Sequence, residues 1–182
     1  IITGAFAYLF NFIFPPVISA VAILIAIYYF TGFNHLDGLA DFGDGLTAHG
    51  SREKKINAMK DVSIGIGGAA FCVLGLISLY AVVITLLDGS LIQNVNLNTG
   101  LVVFSSLIVA EIGAKQSMLT IAVFGKSIHE GLGSMVIDNT TIPKYIIGLI
   151  GGGFFCGLLL GVIGIIGYIA ALFSALIILN IT

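Results

Sequence analysis

The chain has 182 residues, 58% hydrophobic and 9% charged, with a net charge of −2 and a mean hydropathy of +1.15. Soluble domains carry about 25% charged residues, so this composition excludes that class. Bilayer helices need about 20 apolar residues each, and the long uniform runs here supply them, where a membrane barrel would alternate.

The expectation is therefore an all-α, polytopic integral membrane helical bundle, one membrane domain over residues 1–182 with about six transmembrane helices. The near-neutral charge carries no basic footprint for nucleic acid, and the partner in bulk is the lipid bilayer. The chain opens at Ile1 inside an apolar run without a charged leader, and stops inside another, AALFSALIILNIT. No signal peptide is read, and truncation at both ends is expected.

In chain order, residues 1–13 read as the end of one helix, broken at Phe14-Pro15-Pro16, because proline removes a donor and clashes with a continuing helix. A second helix covers 17–33. A polar stretch, 34–62, contains SREKKINAMKD. A third helix covers 64–87, a short polar loop 88–99, a fourth helix 101–124 and another polar loop 125–144. The remaining apolar run is too long for one crossing, and Gly164 and Gly167 are read as the turn between a fifth and a sixth helix. Gly153, Gly157 and Gly161 recur at the four-residue spacing that lets helices approach closely. Cys72 and Cys156 sit in apolar stretches without metal-ligand spacing and read as packing residues.

The polar stretch after the second helix holds Asp37, Asp41 and Asp44, three of the nine acids. At about 100° per residue they fall within about 60° of one another on a helix face. Three carboxylates on one stripe repel, and oxygen-only ligation favours a hard cation such as Mg²⁺, with Mn²⁺ as a substitute. The plain alternative is a solvated connector whose glycines ease its path. Against it, Leu36, Leu39 and Phe42 flank the acids and suggest partial burial at the membrane surface, where ionisable groups are costly and usually functional.

Glu111 and Lys115 stand four residues apart in the fourth helix, the favourable order for a helical pair. They read either as a structural ion pair or as a phosphate-directed lysine with its orienting acid. Asp61 precedes the third helix, where capping and the dipole favour an acid; a further metal or substrate ligand is the second reading. His129 and Glu130 open HEGLGS, a loop that could clamp a substrate or simply turn. His35 and His49 point away from the aspartate stripe. His35 could still donate a hydrogen bond to a substrate phosphate.

TGFNHLDGLADFGDGL followed by MKDVSIG resembles the signature of the cobalamin synthase family, the adenosylcobinamide-GDP ribazoletransferases. The resemblance rests on His35, Leu36, Asp37, Gly38, Leu39, Ala40, Asp41, Asp44, Gly45 and Leu46 in register, then on Met59, Lys60, Asp61, Ile64 and Gly65. HEGLGS is similar to a later turn of the family, and Lys115 stands where the family tends to show Arg. An opening Phe-Pro-type segment and a C-terminal Thr-Gly-Asp motif are not found.

The resemblance implies a Mg²⁺-dependent transferase in a prokaryotic cell membrane, its active site facing the cytoplasm. It would join α-ribazole, or its 5′-phosphate, to adenosylcobinamide-GDP and release GMP. Asp37, Asp41 and Asp44 become the catalytic and metal residues, and His35, Asp61, Lys115, His129 and Glu130 the substrate-binding ones. Homo-oligomerisation stays open. A lipid-type alcohol phosphotransferase is the alternative enzyme, although Ala40 is followed by Asp41 where that motif has Arg. A divalent-cation transporter is the alternative outside enzymes, although its acids would be spread over several helices.

Basic residues set the orientation. Arg52, Lys54, Lys55 and Lys60 follow the second helix, Lys126 and Lys144 follow the fourth, and 88–99 has none. Basic loops remain cytoplasmic. Cysteines placed in 50–60 and 125–142 should therefore be shielded from an impermeant reagent in intact cells, and cysteines in 89–98 labelled. The opposite pattern would reverse the topology.

Overall fold

The computed structural model describes residues 2–89, 98–127 and 130–181, and among these every regular element is an α-helix. The helices are α1 Ile2–Ile13, α2 Pro16–Thr31, α3 Asn34–Thr47, α4 Arg52–Met59, α5 Ile66–Leu87, α6 Thr99–Phe124, α7 Leu132–Asn139 and α8 Ile142–Ile181. The chain divides into two compact units, Ile2–Val103 and the part from Phe104 onward.

In the first unit the proline break falls where the sequence places it. Pro15 is the N-cap of α2 and Pro16 its first residue, a position where the missing N–H costs nothing. Ser19, fully buried, donates its hydroxyl to the carbonyls of Phe10 (3.1 Å) and Phe14 (3.2 Å). One small side chain thus serves two carbonyls at the break and holds α1 against α2.

A sharper corner follows. Gly32 ends α2 in the left-handed conformation, and Phe33 adopts it too, with φ 58°. Left-handed backbone is unusual for a bulky residue and costs about 1–2 kcal/mol. The N–H groups of both residues reach the carbonyl of Tyr28, and the Phe33 ring stacks on the Tyr28 ring. The result is a 91° bend between α2 and α3. The polar stretch expected at 34–62 is thus α3 followed by α4, which Ser51 caps by accepting from the Lys54 N–H at 3.4 Å.

Helix α3 crosses α5 at glycines. A Cβ on Gly43 would come within 2.9 Å of the Gly67 carbonyl oxygen, and one on Gly67 within 2.8 Å of the Gly43 oxygen. A Cβ on Gly68 would come within 2.7 Å of the Ala40 carbonyl oxygen. Backbone meets backbone here, as small residues permit between membrane helices. Cys72 donates its thiol to the Leu36 carbonyl at 3.5 Å, consistent with a packing role.

In the second unit α6 packs on α8 through the Ser117 hydroxyl, which donates to the Ala171 carbonyl at 2.9 Å. The turn expected at Gly164 and Gly167 lies instead at Gly161, whose φ of 58° and ψ of −137° break the helix. Gly164 is where the returning half presses on the Cys156 carbonyl, and Gly167 has open space beside it. Only a residue without Cβ takes the Gly161 conformation cheaply, whereas Gly164 is chosen for closeness. Gly153 and Gly157 face Tyr168 and Ile165 across the hairpin, as the spacing predicts. The buried Tyr168 hydroxyl donates to the carbonyls of Gly148 (3.3 Å) and Leu149 (3.1 Å).

Among the described residues, three helices are long and apolar enough to cross a membrane: Ile66–Leu87, Thr99–Phe124 and Ile142–Asn180; α2 with α3 makes a fourth if the bent pair is one broken span. The expected six holds as an approximation, reached by counting α1, α2 and the two halves of α8 separately. Large apolar side chains point outward throughout, Ile25, Ile77, Phe154 and Ile163 among them. Such a surface suits lipid and not water.

Replacing Gly67 by Ala should destabilise the protein by about 1–3 kcal/mol, the usual cost of overpacking. Gly151→Ala, where no heavy atom lies within 4 Å, should be neutral or stabilising by up to about 1 kcal/mol. Thermal unfolding in detergent compares the two. Equal midpoints would mean that the α3–α5 crossing is looser than described.

Candidate active site

Helix α3 carries Asp37, Asp41 and Asp44 on one stripe, as the spacing predicts, because the segment is helical from Asn34 to Thr47. Their surroundings differ. Asp37 is exposed, while Asp41 and Asp44 are half-buried. Burial pushes the Asp41 carboxyl above the ordinary carboxylate value, and the charges of Asp37 and Asp44 add to the effect. Bringing a cation to this stripe would relieve both causes.

Asp44 is already engaged. One carboxylate oxygen accepts from the Gly65 N–H and the other from the Gly68 N–H, both at 2.8 Å. Gly65 is the N-cap of α5 and offers no side chain of its own, so α5 borrows its cap from α3. At about 100° per residue, Ala40, Gly43, Asp44 and Thr47 form the stripe that meets α5, and Asp41 lies about 60° further round. Asp44 sits where the packing stripe and the acidic stripe overlap.

Asp61 does not cap α5. Its Oδ1 accepts from the Ser63 N–H (3.0 Å) and the Ser63 hydroxyl (2.7 Å), closing a local turn. Those two bonds hold its carboxyl below the ordinary range. The helix starts at Ile66 instead, beyond the reach of an acid that is occupied two residues on. His35 is exposed in the first turn of α3, and His49 is exposed just beyond its end.

The other site residues belong to the second unit. Glu111 is half-buried and Lys115 exposed, both on α6. Glu130 is exposed and precedes α7, whose first residues turn on the Ser134 hydroxyl: it accepts from the Gly131 N–H at 2.9 Å and donates to the Gly131 carbonyl at 2.8 Å. Turn chemistry therefore accounts for Gly131. His129 lies outside the described residues.

Among the described residues no three His, Cys, Asp or Glu side chains gather into a metal-binding group. The donor set still suits magnesium, which is commonly held by one or two carboxylates with waters and substrate phosphates filling the rest. Asp37, Asp41 and the lone pairs that Asp44's two amide bonds leave free are the carboxylate donors on this stripe. A groove of about 430 Å³ beside α2 and α5, lined by Leu24, Tyr28, Phe33, Leu36, Ile77 and Tyr80 among others, has no charged residue in its wall. It suits an apolar chain and not a diphosphate.

What sequence reasoning missed is the borrowed cap. Its signal was present in SIGIGG: a helix opening on glycines, with no Ser, Thr, Asp or Asn at the cap position, must find an acceptor elsewhere.

The family model described as cobalamin-5-phosphate synthase matches residues 1–182. A protein of Methanococcoides burtonii named adenosylcobinamide-GDP ribazoletransferase is 56% identical over 98% of this chain and 65% of its own length. Relatives of that name from Methanosarcina barkeri and Methanosarcina mazei are 45% and 43% identical, each over 99% of this chain and 66% of their own length. The chain thus spans just under two thirds of the length of these relatives. No solved structure is significantly similar to it.

The raised Asp41 carboxyl has a consequence for pH. Stripped of divalent cations, the folded protein holds this proton more tightly than the unfolded chain does. The stability this group contributes is complete below the ordinary carboxylate value and is lost as pH rises through the raised one. Unfolding midpoints in chelator should fall across that window, and Asp41→Asn should flatten the slope. An unchanged slope in the variant would place the titration elsewhere.

Proposed function

The chain belongs to the cobalamin-5-phosphate synthase family, and from that premise we propose that its protein joins α-ribazole, or its 5′-phosphate, to adenosylcobinamide-GDP. A free ribose hydroxyl of the ribazole, which in the 5′-phosphate cannot be the esterified 5′-oxygen, attacks and forms a new bond to the phosphorus attached to cobinamide. The bond from that phosphorus to the bridging oxygen breaks, and GMP leaves with the oxygen. The hydroxyl proton passes to a carboxylate of α3 or to water. A divalent cation, Mg²⁺ or Mn²⁺, supplies neutralisation of the diphosphate charge when bound.

The single observation that carries this reading is the acidic stripe of α3, set off the axis of α2 by the 91° bend and held on the N-terminus of α5. Asp37 and Asp41 would hold the cation, and the more basic Asp41 is the better proton acceptor of the two on Brønsted grounds. His35, at the head of the same helix, would donate to a substrate phosphate. Asp61, Lys115, His129 and Glu130 are the further substrate-binding residues that the family resemblance implies. Lysine offers a point charge where arginine would offer a fork. The site would face the cytoplasm, where the basic loops remain, so that a nucleotide-activated substrate reaches it from that side.

The complete protein should restore growth on cobinamide plus dimethylbenzimidazole to a cell lacking its own enzyme for this step. In vitro it should release GMP from adenosylcobinamide-GDP only when α-ribazole and a divalent cation are present. Asp37→Asn and Asp41→Asn should each lower turnover by about 10²-fold or more, since charge stabilisation acts on the chemical step. A lipid phosphotransferase would ignore the corrinoid and a cation carrier would release no nucleotide. Failure of both complementation and GMP release overturns the reading.

A further inference from the structure

Three aspartates on one helix stripe invite a single role, but their hydrogen bonds divide them. Each Asp44 oxygen accepts one amide N–H, from Gly65 and from Gly68, at 2.8 Å. These are the cap and third residues of α5, two of the N–H groups that a helix start leaves without partners. A carboxylate is the strongest acceptor for them, because it meets both the hydrogen-bond demand and the positive end of the helix dipole.

The packing enforces the arrangement. A Cβ on Gly65 would strike Asp44 Oδ1, and one on Gly68 would lie 2.6 Å from Oδ2. Glycine at both positions is what allows the carboxylate to seat against the backbone. Thr47, one turn further on, covers Gly67 in the same way, while its hydroxyl donates to the Gly43 carbonyl at 2.8 Å. Each oxygen keeps a second lone pair, but a cation that pulled the carboxylate off these amides would orphan both donors at the start of α5.

We propose that Asp44 is a positioning residue that clamps the start of α5 onto α3, and that the divalent cation is held by Asp37 and Asp41 without it. This rests on the metal reading above, and it separates residues that the shared spacing makes look equivalent. Asp44 then fixes the crossing of α3 over α5, and through it the place of Asp37 and Asp41.

The test uses the complete protein in detergent or nanodiscs, with Mn²⁺ as the probe, read by electron paramagnetic resonance, and hydrogen exchange of the peptide spanning 60–70. Asp37→Asn and Asp41→Asn should weaken Mn²⁺ binding by about tenfold or more and leave exchange at 65–68 as in the unaltered protein. Asp44→Asn should speed that exchange about tenfold, as expected for one lost charge-assisted bond. It should keep the bound-Mn²⁺ spectrum and weaken the affinity by clearly less than Asp37→Asn or Asp41→Asn does. Mn²⁺ affinity lost in Asp44→Asn as severely as in Asp41→Asn, or exchange unchanged in Asp44→Asn, overturns the proposal. Should Asp44→Asn fail to fold, the unaltered protein decides: saturating Mn²⁺ should leave exchange at 65–68 unchanged, and faster exchange there would show the carboxylate drawn to the metal. Absence of Mn²⁺ binding in the unaltered protein would instead sink the metal reading and with it the two-carboxylate half of the proposal, while the exchange arm still decides the clamp.

Discussion

The contact on which the first unit depends is the bare backbone crossing of α3 and α5, sealed by one carboxylate. Gly43 and Gly67 bring the two helices together until each carbonyl lies where the other's Cβ would be. At that separation no side chain of α5 can cap its own first turn, and the helix begins on Gly65 with unpaired amides. An apolar environment makes such amides expensive, since no water is at hand to satisfy them. Asp44 answers the demand, and the same demand accounts for the half-buried position of an acid in so apolar a chain. Closeness, glycine and carboxylate are three parts of one solution.

The corner before α3 supplies the second constraint. Charged side chains on a helix continuing straight from α2 would run on along the membrane normal, at a cost of about 2.5–3.5 kcal/mol each near the bilayer centre. Gly32 and Phe33 turn the chain instead, and Phe33 bears left-handed strain to do it. Stacking on Tyr28 and two amide bonds to the Tyr28 carbonyl offset that strain. The turn gives α3 one face on α5 and leaves Asp37 on an exposed edge.

Much of this was legible in the sequence, and the exceptions have physical causes. Helix ends at Phe14 and around Phe124 followed from proline and the lengths of the apolar runs, whereas the second helix was expected to run to 33 and ends at Thr31, with Gly32 as its cap. The helical stripe of α3 followed from period alone. The α8 turn was misplaced by one helical turn because glycine serves two purposes: Gly161 supplies a left-handed backbone, and Gly164 merely makes room for the Cys156 carbonyl. Composition cannot tell these apart. Capping of α5 was one of the two readings open for Asp61, but Asp61 is satisfied locally by Ser63, and the residue that caps Gly65 lies 21 residues from it. Long-range capping leaves only a negative trace, a helix start without a capping side chain of its own.

The three aspartates show how one residue type takes different work from small differences in position. Asp37 is exposed and keeps its hydration; Asp41 is half-buried and crowded by like charge; Asp44 is half-buried and paired to amides. Only the middle one has a demand that the protein itself leaves unmet. Two carboxylates give a small, hard cation too few protein ligands to be held tightly, and such ions bind best when substrate phosphates complete the shell. In the proposed reaction, therefore, cation affinity and substrate affinity are linked, each raising the other by the same factor. A third carboxylate ligand would tighten resident metal and weaken that linkage. On the proposal that Asp44 serves α5, the cation would serve the diphosphate first and the protein second.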